Sequence, residues 1–97
     1  MYLEIVSPEA TLFSSEVDAV VVPGVKGEFE MLNNHAPIVS TLKEGTVRIK
    51  VHSQSHMTFD DLHGTIKPLS DDKNVLTLDI KSGTVESKDN KVIVLAD

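Results

Sequence analysis

The sequence predicts an all-β fold, an antiparallel β-sandwich or flattened barrel of about eight to ten short strands. Three observations support this class. Apolar runs rich in β-branched residues recur at short intervals along the 97 residues. Polar or glycine-containing turn clusters separate these runs, and no run keeps the helical period over the length of a helix. The length allows one hydrophobic core, so we expect a single domain spanning residues 1–97.

The first strands are predicted from apolar runs near the amino terminus. Residues 2–6 form one run, which ends before Ser-Pro because the residue before a proline favours extended conformations. A second run begins at residues 11–13, is interrupted by Ser14 and Ser15, and resumes at residues 16–22. We interpret this as one long strand with a bulge or bend at the two serines.

The second half of the chain predicts further strands. Residues 46–52 alternate cleanly, with Val47, Ile49 and Val51 on one face, which is typical of a half-buried strand. The other predicted strands cover residues 38–41, 75–80, 84–86 and 92–95, with weaker candidates at 57–59 and 65–66. Polar clusters at residues 71–74 and 89–90 predict turns.

The central stretch, residues 23–37, is the most distinctive part of the sequence, Pro-Gly-Val-Lys-Gly-Glu-Phe-Glu-Met-Leu-Asn-Asn-His-Ala-Pro. Glycine permits positive φ and proline fixes φ, so these residues predict forced changes of chain direction. We therefore expect a constrained loop that holds the apolar segment 29–32 at the surface, where it is available for contact with a partner.

Composition excludes several classes of function. A net charge of −6 with nine scattered cations argues against nucleic-acid binding, which requires clustered Lys and Arg. The absence of cysteine excludes disulfides and thiolate metal sites. No stretch has the roughly 20 apolar residues of a membrane span, and the start does not resemble a signal peptide. We expect a soluble, cytoplasmic chain that reaches a membrane through a protein partner, without direct insertion.

No motif of catalysis or of cofactor binding stands out. Gly24 and Gly27 lack the Lys-Ser/Thr pair of a phosphate loop, and the acids that follow would repel phosphate. Glu28 and Glu30 share one face of an extended segment, but nothing in the sequence supplies a cleft that would shift a carboxyl pKa. No order of Ser, His and Asp matches a catalytic triad. We expect no catalytic residue and no cofactor.

The histidines leave alternatives open. His52, His56 and His63 are possible metal ligands, but along one straight strand the first two lie too far apart for a single ion, so we expect exposed polar residues and no metal. His35 lies inside the central stretch. It either pins the loop by hydrogen bonding to backbone or contacts a partner directly.

Several separated motifs together resemble the epsilon subunit of the bacterial F-type ATP synthase. In the centre these are Glu-Val-Asp-Ala-Val-Val-Val-Pro-Gly at 16–24, Gly-Glu-Phe at 27–29 and Leu-Asn-Asn-His-Ala-Pro-Ile at 32–38. Outside it are Leu-Glu-Ile-Val-Ser-Pro at 3–8, Leu-Lys-Glu-Gly-Thr-Val-Arg-Ile at 42–49 and Lys-Val-Ile-Val-Leu-Ala-Asp at 91–97. They occur in the family's order with compatible spacing, and only residues 53–73 match poorly.

The resemblance implies a non-catalytic subunit of the central rotor stalk. Its β-sandwich would pack on the gamma subunit, rest on the polar loops of the c-ring, and couple proton flow to ATP synthesis in the catalytic head. Position in the motif assigns Glu28, with Phe29, Glu30 and Met31 beside it, to the c-ring contact. His35 matches the histidine of the family's His-Ala-Pro motif, which assigns His35, Ala36 and Pro37 to the gamma side. The subunit would lie peripherally at the cytoplasmic face of the bacterial inner membrane.

Two departures from the family pattern bear on these expectations. Many relatives have Pro-Gly where this chain has Asn33 and Asn34, but asparagine tolerates left-handed φ, so the turn is expected to survive. The sequence stops at Asp97, where the family's C-terminal helical hairpin usually follows, and we expect a naturally short form without it.

Two functions from other classes remain as alternatives. One is a free-standing β-sandwich module that presents the 24–37 loop to a soluble partner. The other, less favoured, is a small metal-dependent enzyme that uses the histidines.

Overall fold

The computed structural model describes residues 1–51, 67–69 and 72–97, and the side chains of 1–51 and 74–97. This part of the chain is all strand, so the predicted all-β class is confirmed. Its ten strands are β1 (Tyr2–Val6), β2 (Thr11–Glu16), β3 (Ala19–Gly24), β4 (Gly27–Leu32), β5 (Ile38–Leu42), β6 (Gly45–Lys50), β7 (Lys67–Leu69), β8 (Asp72–Ile80), β9 (Gly83–Lys88) and β10 (Lys91–Ala96).

One curled sheet contains these strands in the order β2-β1-β10-β9-β5-β3-β6-β8-β7, with β4 paired to β3. β1 and β10 pair in parallel, and the other described pairs are antiparallel. Because the sheet folds back on itself, β4-β3-β6-β8-β7 and β5-β9-β10-β1-β2 form two layers around one core. This arrangement agrees with the predicted sandwich or flattened barrel.

β3 joins the two layers. β4 occupies one of its edges over the whole strand. On the other edge, Ala19, Val20 and Val21 pair with β6, and Gly24 then pairs with β5. Pro23 lies at this change of partner, where its carbonyl accepts the Lys43 amide at 2.9 Å. A proline is tolerated inside this strand because its missing N–H falls where the β6 ladder has already ended.

The core follows from strand alternation, since every second side chain points between the layers. Val20, Val22, Val47 and Ile49 are fully buried from the first layer. The second layer contributes the following buried side chains: Leu3, Ile5, Phe13, Leu42, Val85, Val92 and Val94. Aliphatic residues dominate, as the scarcity of aromatic residues predicts.

Most predicted strands are confirmed, with boundaries that differ by a few residues. The alternation predicted for 46–52 is confirmed up to Val51, which is buried like Val47 and Ile49. The turn predicted at 89–90 joins β9 to β10, and both of its residues have the positive φ of a tight hairpin turn. The weaker strand candidates at 57–59 and 65–66 lie outside the described residues. The next described strand, β7, begins at Lys67.

Three local predictions are wrong. Ser14 and Ser15 do not bend a long strand, because both pair with β1 inside β2. The chain instead breaks at Val17 and Asp18, whose amides bond to the carbonyls of Met1 and Lys50, each at 2.8 Å. The register shift in this region lies at residue 12, where β1 and β2 slip by one position.

The other two errors concern segments that were predicted as irregular. The turn predicted at 71–74 is strand from Asp72 onward, because these polar residues extend β8. The central loop predicted at 23–37 is a β-hairpin, since β3 includes Pro23 and β4 spans Gly27–Leu32, and only residues 33–37 remain as a connection. The glycines and prolines correctly indicated a turn in this segment. The residues on both sides of that turn pair as strands, however, and do not form a loop.

We expect Met31→Ala to lower the free energy of unfolding by about 2–5 kcal/mol, because Met31 is fully buried in the core and its truncation leaves a cavity. Leu32→Ala is the matched control on the adjacent residue, which is 55% exposed, and should change stability by less than about 0.5 kcal/mol. Urea denaturation followed by circular dichroism measures both. Equal effects of the two substitutions would contradict the inward orientation of Met31.

Candidate functional site

The β3–β4 hairpin is the centre of the candidate site. Val25 and Lys26 form its two-residue turn, and Gly24 pairs with Gly27. A Cβ on Gly24 would lie 2.7 Å from the Gly27 carbonyl oxygen and 2.9 Å from Phe29 Cε1, so only glycine fits there. Gly27 has φ 132°, a conformation that side chains disfavour. The two glycines therefore close a tight hairpin that fixes the register of β4.

Alternation along β4 divides the predicted partner-binding residues between two faces. Glu28 and Glu30 point outward, as the two-residue spacing predicts, and their side chains are 50% and 38% exposed. Phe29 and Met31 point to the core, where Phe29 packs partly buried and Met31 is 0% exposed. The expectation that segment 29–32 lies at the surface is therefore wrong for Met31, and only part of Phe29 is accessible.

Both outward acids form ion pairs across β3 with cations of β6. Arg48 Nη2 donates to Glu28 Oε1, and Lys50 Nζ donates to Glu30 Oε2 at 2.6 Å. β3 lies between the two partners and carries Val21, which is opposite Glu30 on one side and Arg48 on the other. Val21 is only 6% exposed. We call these four residues, Glu28, Glu30, Arg48 and Lys50, the charged face.

The other predicted group lies in the connection between β4 and β5. Asn34 adopts φ 61°, so the turn survives the replacement of Pro-Gly by Asn-Asn, as predicted. The Asn34 amide donates to Asn90 Oδ1 at 2.7 Å, and the Met1 ammonium donates to Asn33 Oδ1 at 2.5 Å. This connection is therefore tied to the β9–β10 turn and to the amino terminus.

His35 is half-buried within this connection. Its amide donates to the Leu32 carbonyl at 3.1 Å, and its ring Nδ1 lies 2.7 Å from the Ala36 carbonyl oxygen. Ala36 and Pro37 are exposed and lead directly into β5. The bond from the ring to backbone agrees with the alternative in which His35 pins the loop. Ala36 and Pro37 are exposed, so a partner can still contact this connection. Because β4 separates the two groups, His35 and Glu28 lie toward opposite ends of the hairpin.

Sequence reasoning missed an apolar surface on the second layer. Val39 and Leu95 are 76% and 53% exposed. Val6 pairs with Leu95, and Ile93 is separated from Val39 by Glu86 alone, because β9 lies between β5 and β10. We call Val6, Val39, Ile93 and Leu95 the apolar face, although Glu4 and Glu86 flank Ile93 on the same side of the sheet. The sequence does indicate this surface. In the predicted strands 38–41 and 92–95, both odd-numbered and even-numbered positions carry apolar residues, so apolar side chains lie on both faces of each strand.

Nothing in the described part of the chain is arranged as a catalytic or metal site. No group of three or more His, Asp or Glu side chains is placed to hold a metal ion there. His52, His56 and His63 lie outside the described residues. The described residues also include no helix with the length and apolarity of a membrane span. The features that do stand out in these residues are the charged face and the apolar face, on opposite layers of the sandwich.

Comparison with known proteins identifies the family. The model of the ATP synthase delta/epsilon chain β-sandwich domain matches residues 1–61. The chain is 38% identical to the ATP synthase epsilon chain of Chlorobaculum tepidum over 76% of this chain and 83% of that protein. It is 34% identical to that of Desulforamulus reducens over 98% of this chain but only 57% of that protein.

Solved structures agree in fold. The chain superposes with TM-score 0.70 and 11% identity on a chain in the Tetrahymena thermophila mitochondrial ATP synthase central stalk and c-ring, covering 98% of this chain and 61% of that one. The Euglena gracilis mitochondrial ATP synthase gives the same TM-score at 15% identity, over 97% of this chain and 48% of that one.

The chain therefore belongs to the delta/epsilon chain family of ATP synthase, and the predicted resemblance to the epsilon subunit is confirmed. Membership of this family makes it a non-catalytic subunit of the complex. The partner-binding roles of individual residues stay predictions.

We expect Asn90→Gly to loosen the connection that carries His35, because it removes the acceptor of the Asn34 amide while glycine still allows the φ of 61°. Losing one hydrogen bond corresponds to about 1 kcal/mol, so exchange of the Asn34 amide with solvent should accelerate roughly fivefold to tenfold. Hydrogen exchange followed by NMR measures this rate. Asp89→Gly is the control, because Asp89 has a similar φ of 54° and should leave the Asn34 amide unchanged.

Proposed function

We propose that this chain is a rotor subunit in the central stalk of a proton-translocating F-type ATP synthase. It would bind the gamma subunit and the c-ring and help to couple proton flow to ATP synthesis, reaching the catalytic head through gamma. The observation that carries the proposal is the family match, supported by two distinct exposed surfaces on opposite layers of one sandwich. A subunit that transmits torque needs to hold two partners at once without bending between them.

For the c-ring, the charged face is the best-supported surface. Glu28 and Glu30 present partly exposed carboxylates that pair with Arg48 and Lys50 in the free chain. Exposed ion pairs contribute only about 0–1 kcal/mol each, so these carboxylates can exchange partners at little cost when a ring loop approaches. Phe29 would contribute its accessible part, and Met31 would contribute through its backbone because its side chain is buried.

For gamma, the apolar face is the best-supported surface. Exposed Val39 and Leu95 offer apolar area that a partner can remove from water, which stabilises a complex by about 25 cal/mol for each Å² buried. The predicted gamma-side residues His35, Ala36 and Pro37 run directly into β5 beside Val39. One partner could therefore cover both groups. We place the subunit peripherally at the cytoplasmic face of the bacterial inner membrane, held there by these partners.

We expect Glu28→Lys to lower proton-driven ATP synthesis in membrane vesicles by about fivefold, because it reverses a charge at the proposed ring contact. Glu9→Lys makes the same charge change in the β1–β2 connection and should leave synthesis unchanged. A second variant, Glu28→Lys with Arg48→Glu, restores an ion pair within the chain but not the carboxylate at position 28. Normal synthesis with Glu28→Lys would contradict the ring assignment.

We expect the double variant Val39→Asp, Leu95→Asp to lose gamma. The tagged chain is extracted from its native membranes in mild detergent, and the recovered proteins are identified by mass spectrometry. The unmodified chain should recover gamma, the catalytic head and the c-ring, and the variant should recover at least about tenfold less gamma. Leu32→Asp is the control, since it places one of the same negatively charged side chains on an exposed apolar residue of β4. Recovery of an unrelated soluble partner by the unmodified chain would overturn the rotor proposal.

A further inference from the structure

The outer edge of β4 is unpaired within the described part of the chain. Among the described strands, β4 pairs with β3 alone. In an antiparallel pair, residues alternate between those that hydrogen-bond to the partner strand and those whose amide and carbonyl point away from it. A two-residue hairpin makes Gly24 and Gly27 a hydrogen-bonded pair, and the register then directs the backbone of Phe29 and Met31 toward β3. The amides and carbonyls of Glu28 and Glu30 consequently point to the open edge.

Within the described residues, this edge lacks three of the features that normally block strand addition. Proteins protect edge strands with proline, bulges or lysine side chains that project past the edge. β4 is six residues long and contains neither proline nor lysine, and its pairing with β3 shows no register shift. The carboxylates of Glu28 and Glu30 are drawn back across β3 to Arg48 and Lys50, so they do not cover their own backbone. β2, by contrast, carries a register shift opposite β1.

The side chains along the outer edge of β4 determine which kind of added strand would bind there. An added strand would place side chains beside Glu28 and Glu30 on the outer face and beside Phe29 on the inner face. Cations suit the first position, because the exposed pairs with Arg48 and Lys50 are weak and the two carboxylates can accept a further cationic partner. Apolar side chains suit the second position, because Phe29 is only partly buried. A second copy of this chain is disfavoured as the added strand. If two β4 strands paired antiparallel through their outer edges, the acids of one strand would lie opposite or diagonal to the acids of the other.

We propose that β4 receives, by antiparallel strand addition, an extended segment of a partner protein in which basic and apolar residues alternate. The basic residues lie opposite Glu28 and Glu30 and exchange backbone hydrogen bonds with them. The apolar residues cover the accessible side of Phe29. This inference goes beyond the proposed ring contact, because it concerns backbone pairing and stands whichever protein supplies the segment.

The test uses the full chain and an acetylated, amidated peptide of sequence Thr-Lys-Val-Lys-Val-Lys-Thr. NMR titration measures its affinity, and hydrogen exchange measures protection of the Glu28 and Glu30 amides. We expect saturation with the peptide to slow exchange of both amides at least about tenfold. Lysines opposite the two acids must donate their amides to β4, whereas the valine amides point away.

N-methylation of the peptide backbone supplies the matched control. Methylation of the central lysine amide should weaken binding at least about tenfold, and methylation of a valine amide should leave it within about twofold. Replacing the lysines with glutamates should also abolish binding if charge selects the segment.

Three outcomes would overturn the proposal. These are no binding at millimolar peptide, equal affinity of the two methylated peptides, or Glu28 and Glu30 amides that are already protected in the free chain. Failure here leaves the recovery of gamma and of the c-ring unaffected, so it is distinguishable from failure of the rotor proposal.

Discussion

Burial of β3 on both faces is the constraint on which the rest of the structure depends. Every residue of the strand is buried. Val20 and Val22 lie in the core, and Val21 is covered from outside by the ion pairs between β4 and β6. Because β3 leaves β6 and joins β5 within one strand, it connects the two layers without a linker. Pairing with β3 determines the position and the register of β4 in the hairpin.

This constraint separates what stabilises the hairpin from what it presents to a partner. Burial of Met31 and part of Phe29 holds β4 to the core and is worth several kcal/mol. The charged face contributes little to folding, because exposed ion pairs are worth only about 0–1 kcal/mol each. Its side chains can therefore respond to a partner while the backbone beneath them stays fixed.

The fold class and most strands could be predicted from the sequence, because alternation of apolar and polar residues directly indicates a strand with one buried face. It was less informative about segment 23–37. Glycine and proline there indicate turns, yet Pro23 fits inside a strand because β3 changes partner at that position, and that exchange depends on β5 and β6. The break at Val17 likewise depends on a carbonyl at the amino terminus. The family motif located the candidate site, but only the register showed that Met31 faces the core while Glu28 and Glu30 face out.

The parallel pairing of β1 with β10 has a consequence for how the chain folds. Tyr2 lies beside Lys91, so two neighbouring strands are separated by almost the whole of the described sequence and must meet through a long loop closure. Hairpins such as β3–β4 and β9–β10 join neighbouring segments and can form early, but the second layer closes late. Until then β1 keeps an unpaired edge, which presents free backbone N–H and C=O groups. Partly folded chains in which β10 has not yet joined β1 are consequently the ones most prone to misassociate.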